Sequence, residues 1–203
     1  MRDADEQWPS DAELLRRHVA GDDQAFGELF GRHRDRLWAV ALRTSCDPEE
    51  AADALQDAMI SAFRRAPDFR GDSAVTTWLH RIVVNAALDR LRRRAARPAG
   101  PVGDEQAFEA LAGSAGDPAH ATDTRLDVDA ALRILPPQQR AALVVVDMLG
   151  FSVADAAVIL GISPGTVKSR CARARARLLP HVAHLRGNRS ASQSVSPAQG
   201  GDV

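Results

Sequence analysis

Tyrosine is absent from the 203-residue chain and aromatic residues make up 4% of it, so the packed core that its 45% apolar content allows must be largely aliphatic. Two cysteines, Cys46 and Cys171, are too few for a disulfide framework. Both fall at small-residue helical positions and read as reduced thiols in a cytoplasmic protein. The first residues carry neither a basic segment nor an apolar one, so no signal peptide is expected. No apolar run approaches membrane-spanning length, which argues against membrane insertion. The histidines are scattered. His181 and His184 are spaced for one helix face, but no further ligands cluster near them, so neither a metal nor another cofactor is expected. There is no nucleophile elbow, phosphate loop, zinc spacing or HExxH, which sets enzymes aside, and no convincing strand pattern, which leaves an all-α fold.

Charge is short of an overall bias: 26 basic residues nearly balance 27 acidic ones. The distribution is informative instead. From Pro164 to Arg186 six basic residues (Lys168, Arg170, Arg173, Arg175, Arg177, Arg186) stand without an acid. From Thr77 to Arg97 six arginines (Arg81, Arg90, Arg92, Arg93, Arg94, Arg97) face one acid, Asp89. Two separate basic stretches imply two contacts with a polyanion.

The first stretch lies in the most informative segment, residues 152 to 179. Ser152 is placed to cap a helix, with Asp155 three residues on. Val153, Ala156, Ala157 and Leu160 share one face, and Gly161 suits the left-handed residue that ends a helix. Ile162 can fill the corner, Ser163 can cap a second helix, and Pro164 suits its first position. The second helix carries its charges with one sign, so a merely solvated face would gain nothing from internal ion pairs. Gly165 and Thr166 let its N-terminus approach a phosphate. This is a helix-turn-helix pattern over residues 153–172.

The rest reads as helices with clear start signals. Ser10 and Glu13 open a helix with Leu14, Leu15 and Val19 on its apolar face, closed at Gly21. Asp22 or Asp23 can cap the next, which presents Phe26, Leu29, Phe30, Leu37, Val40 and Ala41. Asp47-Pro48-Glu49-Glu50 starts a third, expected to bury Ala51, Leu55, Ala58, Met59, Ala62 and Phe63 while leaving Glu50, Asp53, Gln56 and Asp57 on other faces. After the polar glycine loop 68–73, a long helix from about Ala74 to Ala96 offers Trp78, Leu79, Ile82, Val83, Ala86 and Leu91. Its closing arginines suit a helix C-terminus electrostatically, which explains two or three of them. A Pro/Gly/Ala stretch from residue 98 to 124 reads as a flexible linker. Helix resumes at Leu126, breaks at Pro136-Pro137, and continues as an apolar helix from Gln138 to Leu149. Residues 187–203 read as a disordered tail.

Two helical units with one basic helix each, joined by a linker, resemble the extracytoplasmic-function (ECF) group of the sigma-70 family. DPEEAADALQDAMISAFRRAPDFRG is similar to the family's region 2.2, DSAVTTWLHRIVVNAALDRLRRR to regions 2.3 and 2.4, and LDVDAALRILPPQQRAALVVVDMLGFSVADAAVILGISPGTVKSRCARARARL to region 4. The resemblance implies a region 2 domain over 11–97 and a region 4 domain over 125–185. It implies core RNA polymerase as partner, through the beta-prime clamp helices and the beta subunit, with Asp53, Gln56 and Asp57 at the contact. It implies promoter DNA as the second partner and an anti-sigma factor as a third. Phe69, Arg70, Gly71, Asp72, Ser73, Trp78, Arg81, Asn85, Arg90 and Arg93 would open and read the −10 element. Ser163, Gly165, Thr166, Lys168, Ser169, Arg170 and Arg173 would read the −35 element; Ala172 stands where some relatives place a larger residue. A role in stress response follows from the same likeness.

The residues agree with these roles on their own terms. Melting DNA requires pockets for unpaired bases and cations for the backbone. The segment from Phe69 to Asn85 supplies a polar loop, a Trp and an Asn able to pair with a base edge. Trp78 can equally be core. An Asn in mid-helix is mildly unfavourable, so Asn85 calls for a gain beyond propensity. A stand-alone helix-turn-helix regulator would explain residues 152–179 as well, but neither the second basic stretch nor the Gln56-Asp57 helix.

Overall fold

The computed structural model describes residues 8–96 and 123–191, so the expected linker, up to residue 122, and the tail from residue 192 lie outside the described residues. All regular structure among the described residues is helical. In chain order the helices are α1 (Asp11–Val19), α2 (Ala25–Ser45), α3 (Pro48–Arg65), α4 (Val75–Ala96), α5 (Asp123–Arg133), α6 (Pro137–Leu143), α7 (Val153–Leu160) and α8 (Pro164–Ala191). A 3-10 turn, Ala66–Asp68, follows α3, and a π-helical turn, Val144–Met148, continues α6.

Local chemistry sets most of these boundaries. Ser10 Oγ accepts from Glu13 N–H at 3.2 Å, and Asp22 Oδ1 from Gln24 and Ala25 N–H at 3.0 and 3.2 Å. These bonds, with the Arg17 guanidinium beside it, hold the Asp22 carboxyl below its usual range. Asp47 Oδ1 accepts from Glu49 and Glu50 N–H at 2.9 and 3.3 Å, with Pro48 in the first turn of α3. Asp47→Ala is expected to cost about 1 kcal/mol, the usual worth of such a cap, read as a lower urea midpoint at unchanged slope. Ser152 and Ser163 cap α7 and α8 through Asp155 and Thr166 N–H, at 3.1 and 3.2 Å. Gly161 ends α7 with φ +65°, as its position predicts.

Alanines at 0% exposure, Ala51, Ala54, Ala58 and Ala62, let α3 lie close against α2 and α4. Leu14, Leu29, Leu37, Val40, Leu79 and Val83 fill the space between them. In the second unit α5, α6 and α7 pack around the first half of α8, with Val167, Cys171 and Ala174 buried. The two units are not separate bodies. α7 and α6 lie on α4, and α6 lies on α2, so one apolar cluster runs through both.

Five local expectations are corrected. Phe63 is 51% exposed rather than core, and Val19 is 49% exposed; Phe63 stacks with His18 and Phe26 at the surface, with ring centroids 4.4 and 5.2 Å away. Cys46 is the left-handed C-cap of α2, φ +59°, not a residue inside a helix. The helix expected from Gln138 to Leu149 is α-helical only to Leu143. Beyond it the carbonyls of Val144 and Val145 are bonded to the N–H of Leu149 and Phe151, which widens the turn. Helix α8 runs through Pro180 to Ala191, past the expected start of the tail at 187.

Candidate nucleic-acid interface

Over residues 164–181 helix α8 has one buried stripe and one exposed stripe. Ser163 and Pro164 launch α8 from the Gly161 corner, and Val167, Cys171 and Ala174 anchor one stripe of it. The opposite stripe carries Lys168, Ala172 and Arg173, all exposed, with Arg173 Nη2 donating to Ser169 Oγ at 3.5 Å. Gly165 is exposed, and a Cβ there would meet Ser163 Oγ at 3.9 Å, an ordinary contact. Thr166 Oγ1 is 2.9 Å from Ser163 Oγ. Arg170 turns inward to Gln138 Oε1, and Arg175 clasps Asp147 through Nε and Nη2 at 3.0 and 2.6 Å. Sequence reasoning gave Lys168, Arg170 and Arg173 alike to the −35 element; the structure separates an outward pair, Lys168 and Arg173, from Arg170 and Arg175, which hold α8 to α6 and the π turn.

A second concave surface lies between α3 and α4. Asp57, Ile60, Ser61, Arg64 and Arg65 line one wall, and Trp78, Arg81, Ile82, Asn85, Asp89 and Arg93 the other. Trp78 is half-buried with its ring centroid 5.3 Å from that of Phe69, so it is partly core and partly groove wall. The loop Arg70, Gly71, Asp72, Ser73 is exposed, with Gly71 at φ +78°; Phe69, Arg70 and Gly71 line a separate cleft against Leu15 and Val19 of α1 rather than the groove itself. Arg81 is exposed. Asn85 donates through Nδ2 to Ile159 O at 3.2 Å, a bond from α4 to α7.

The arginines at the end of α4 are not free cations. Arg90 Nε and Nη1 reach Glu50 Oε2 at 3.0 Å and Asp57 Oδ2 at 3.3 Å, and Nη2 bonds Asp53. Burial alone would lower the Arg90 pKa, but these carboxylates outweigh it and raise it. Arg93 lies 3.7 Å from Asp57, Arg94 3.3 Å from Asp47, and Arg92 2.5 Å from Asp89. The acids of α3 expected on free faces are thus turned toward α4; Gln56 stays exposed. Beside Gln56 an apolar groove between α2 and α3 is lined by Phe30, Trp38, Leu55, Met59 and Ile60, with Arg34 and Asp35 at its rim.

The two units match two family models: Sigma-70 region 2 over residues 29–97 and Sigma-70 region 4 over residues 125–178. ECF RNA polymerase sigma factor SigM of Mycobacterium tuberculosis is 54% identical over 176 residues, covering 87% of this chain and 86% of its own. The chain belongs to the ECF group of the sigma-70 family. It is a sigma factor, a partner of core RNA polymerase that directs promoter-specific initiation. The ECF sigma-E factor of Escherichia coli is 33% identical, over 82% of this chain and 91% of that one. Among solved structures, the sigma factor RpoE in complex with the anti-sigma factor NepR from Bartonella quintana superposes with a TM-score of 0.60 at 29% identity. It covers 79% of this chain and 98% of that chain. CnrH in complex with the cytosolic domain of CnrY gives 0.58 at 27% identity, over 88% and 98%. In this sigma factor no helix among the described residues is long and apolar enough to cross a membrane.

Two features of the site escaped the sequence. Arg140, 4% exposed, donates to the carbonyls of Thr44 at 2.8 Å, Ser45 at 3.3 Å and Leu132 at 3.4 Å. Burial lowers its pKa, the nearby Cys46 opposing and Arg133 adding to the shift. His80, 3% exposed, has no hydrogen bond of good geometry at either ring nitrogen, only a weak attraction to the Thr76 backbone, and its ring meets Phe151 edge-on at 5.5 Å. Periodicity marks such positions only as buried; nothing in it says that the partner comes from the other unit.

Proposed function

We propose that this sigma factor divides its promoter contacts between two surfaces. The outward stripe of α8, with Ser163, Gly165, Thr166, Lys168, Ser169 and Arg173, enters the major groove at the −35 element, and Arg170 steadies the helix. The α3–α4 groove, with Phe69, Trp78, Arg81, Asn85 and the loop 70–73, receives the melted −10 strand. Core polymerase docks on the exposed side of α3 at Gln56, with Asp53 and Asp57 and the neighbouring apolar groove contributing, against its beta-prime clamp helices. Arg90 and Arg93 organise the α3 carboxylates and reach DNA only after exchanging partners. An anti-sigma factor is a further partner, in keeping with the complexes formed by RpoE and CnrH. The protein acts in the cytoplasm, as a non-enzymatic initiation factor.

The observation that carries this reading is the capped helix-turn-helix with Lys168 and Arg173 exposed, in one chain with a groove that joins Trp78, Arg81 and Asn85. Transcription from a promoter library by core polymerase with the added protein tests it. Arg173→Ala is expected to cost about 1–3 kcal/mol of discrimination at one −35 base pair if the arginine pairs with a guanine. A uniform loss over all promoters would make Arg173 a phosphate contact, and no promoter selectivity at all would remove α8 from the −35 element.

A further inference from the structure

Given the promoter reading above, on which this step rests, we infer that the phosphates of the melted −10 strand are held by Arg64 and Arg65 of α3, with Arg81 of α4, and not by the arginine run that closes α4.

Four arginines and two aspartates line the groove between α3 and α4, and the two signs are sorted along it. Asp47, just before α3, lies 3.3 Å from Arg94 near the end of α4, so the helices run antiparallel and the end of α3 stands beside the start of α4. At the far end of the groove the charges cancel. Asp57 accepts from Arg90 and lies 3.7 Å from Arg93, and Asp89 pairs with Arg92. At the near end stand Arg64, Arg65 and Arg81, all exposed, and none of the three joins an ion pair among the described residues. The groove's surplus of positive charge therefore lies beside Trp78 rather than at the tip of α4.

Arg64 and Arg65 occupy the last turn of α3, where a cation suits the helix dipole. Capping would aim their guanidinium groups at the closing carbonyls of the helix. Neither donates to one among the described residues, the Phe63 carbonyl has His18 Nε2 at 3.3 Å instead, and both arginines line the groove. The chemistry around them is that of single-strand binding. Trp78, half-buried and 5.3 Å from the Phe69 ring, offers a face to a base, and unpaired cations surround it for the backbone. A guanidinium free of carboxylates releases counterions in full when it meets a phosphate, whereas Arg90 and Arg93 must first give up their aspartates. Sequence spacing gives α3 to polymerase alone; on this assignment it meets polymerase at Gln56 and DNA at its last turn.

The test is the salt dependence of holoenzyme binding to a promoter bubble, in which the −10 strand is already unpaired. The full chain on core polymerase is compared with Arg64→Gln/Arg65→Gln. Each phosphate contact to a single strand adds roughly 0.7 to the slope of log affinity against log salt. The variant's slope is therefore expected to be shallower by about 1.4, and its affinity at about 0.1 M salt to fall by about 25-fold. Arg64→Lys/Arg65→Lys keeps the charges and is expected to keep the slope. Arg92→Gln/Arg94→Gln, which breaks ion pairs with Asp89 and Asp47, is expected to leave it unchanged. A slope unmoved by the first pair of substitutions, or reduced by the α4 pair instead, overturns the assignment. So does a loss of core polymerase affinity at unchanged slope, which would make Arg64 and Arg65 a protein contact. Should the double variant fail to fold, Arg65→Gln alone decides, with an expected change of about 0.7. A wild-type holoenzyme that binds bubbles without regard to the −10 sequence refutes the promoter reading; the slope comparison needs no base preference and still decides the two arginines.

Discussion

At pH 5 the folded chain is expected to be about 2 kcal/mol less stable than at pH 7.5, and His80→Phe to lose most of that difference. Burial, then the positive field of Arg36, pushes the His80 pKa down from 6.5 to about 4; His33 adds to this, and the Thr76 backbone opposes it. An unfolded chain binds a proton at this site near pH 6.5, the folded one only near 4. Between those values the unfolded state holds more protons, so stability is complete above the upper value and falls as pH drops toward the lower. The carboxylates are largely ionised over the upper part of that window, which keeps the effect assignable. Urea titrations of both proteins at the two pH values measure it; equal losses would show that His80 titrates normally. Because Phe151 forms part of the cover over His80, separation of the two units relieves the same strain.

Asn85→Ala is expected to reduce open complexes at a −10 element by about one to two orders of magnitude, the worth of one lost base contact in a dry pocket. The structure gives this residue a competing task, since its amide is bonded to Ile159 O across the units. The two roles move different quantities. Loss of the bond to Ile159 should lower the stability of the contact between the units; loss of base capture should reduce melting whatever the stability. Permanganate reactivity of promoter thymines in the assembled holoenzyme, read beside a urea titration of the free chain, separates them. Wild-type reactivity at every promoter tested would confine Asn85 to the interface between units.

What the sequence revealed and what it concealed divides by range. Helix starts at Ser10, Asp47, Ser152 and Ser163 and the stop at Gly161 depend on contacts within three or four residues, and they stand where the pattern puts them. The helix-turn-helix was legible for the same reason. The α3 acids looked available because Arg90 lies 33 to 40 residues away, and periodicity does not pair charges over such distances. Phe63 reads as core by type, yet its neighbours are His18 and Phe26 at the surface. Arg140 sits among apolar residues where no rule of spacing foretells a bond to a carbonyl 96 positions earlier. The bond between Asn85 and Ile159, 74 residues apart, joins two units that the composition of residues 98–124 suggested would act separately.

The pairing of Arg90, Arg92, Arg93 and Arg94 with carboxylates also bears on where this protein resides in a cell. Bulk chromosome offers millions of sites to any protein with a cluster of free cations, and occupation of those sites is driven by the release of condensed counterions. An arginine already matched by an aspartate must give up that partner before it displaces a sodium or potassium ion, so it contributes little to this drive. The α4 cations thus hold the chain to the genome far less than their number suggests. What non-specific attraction to the chromosome the chain has then falls mainly to cations elsewhere, among them the exposed Arg81, Lys168 and Arg173.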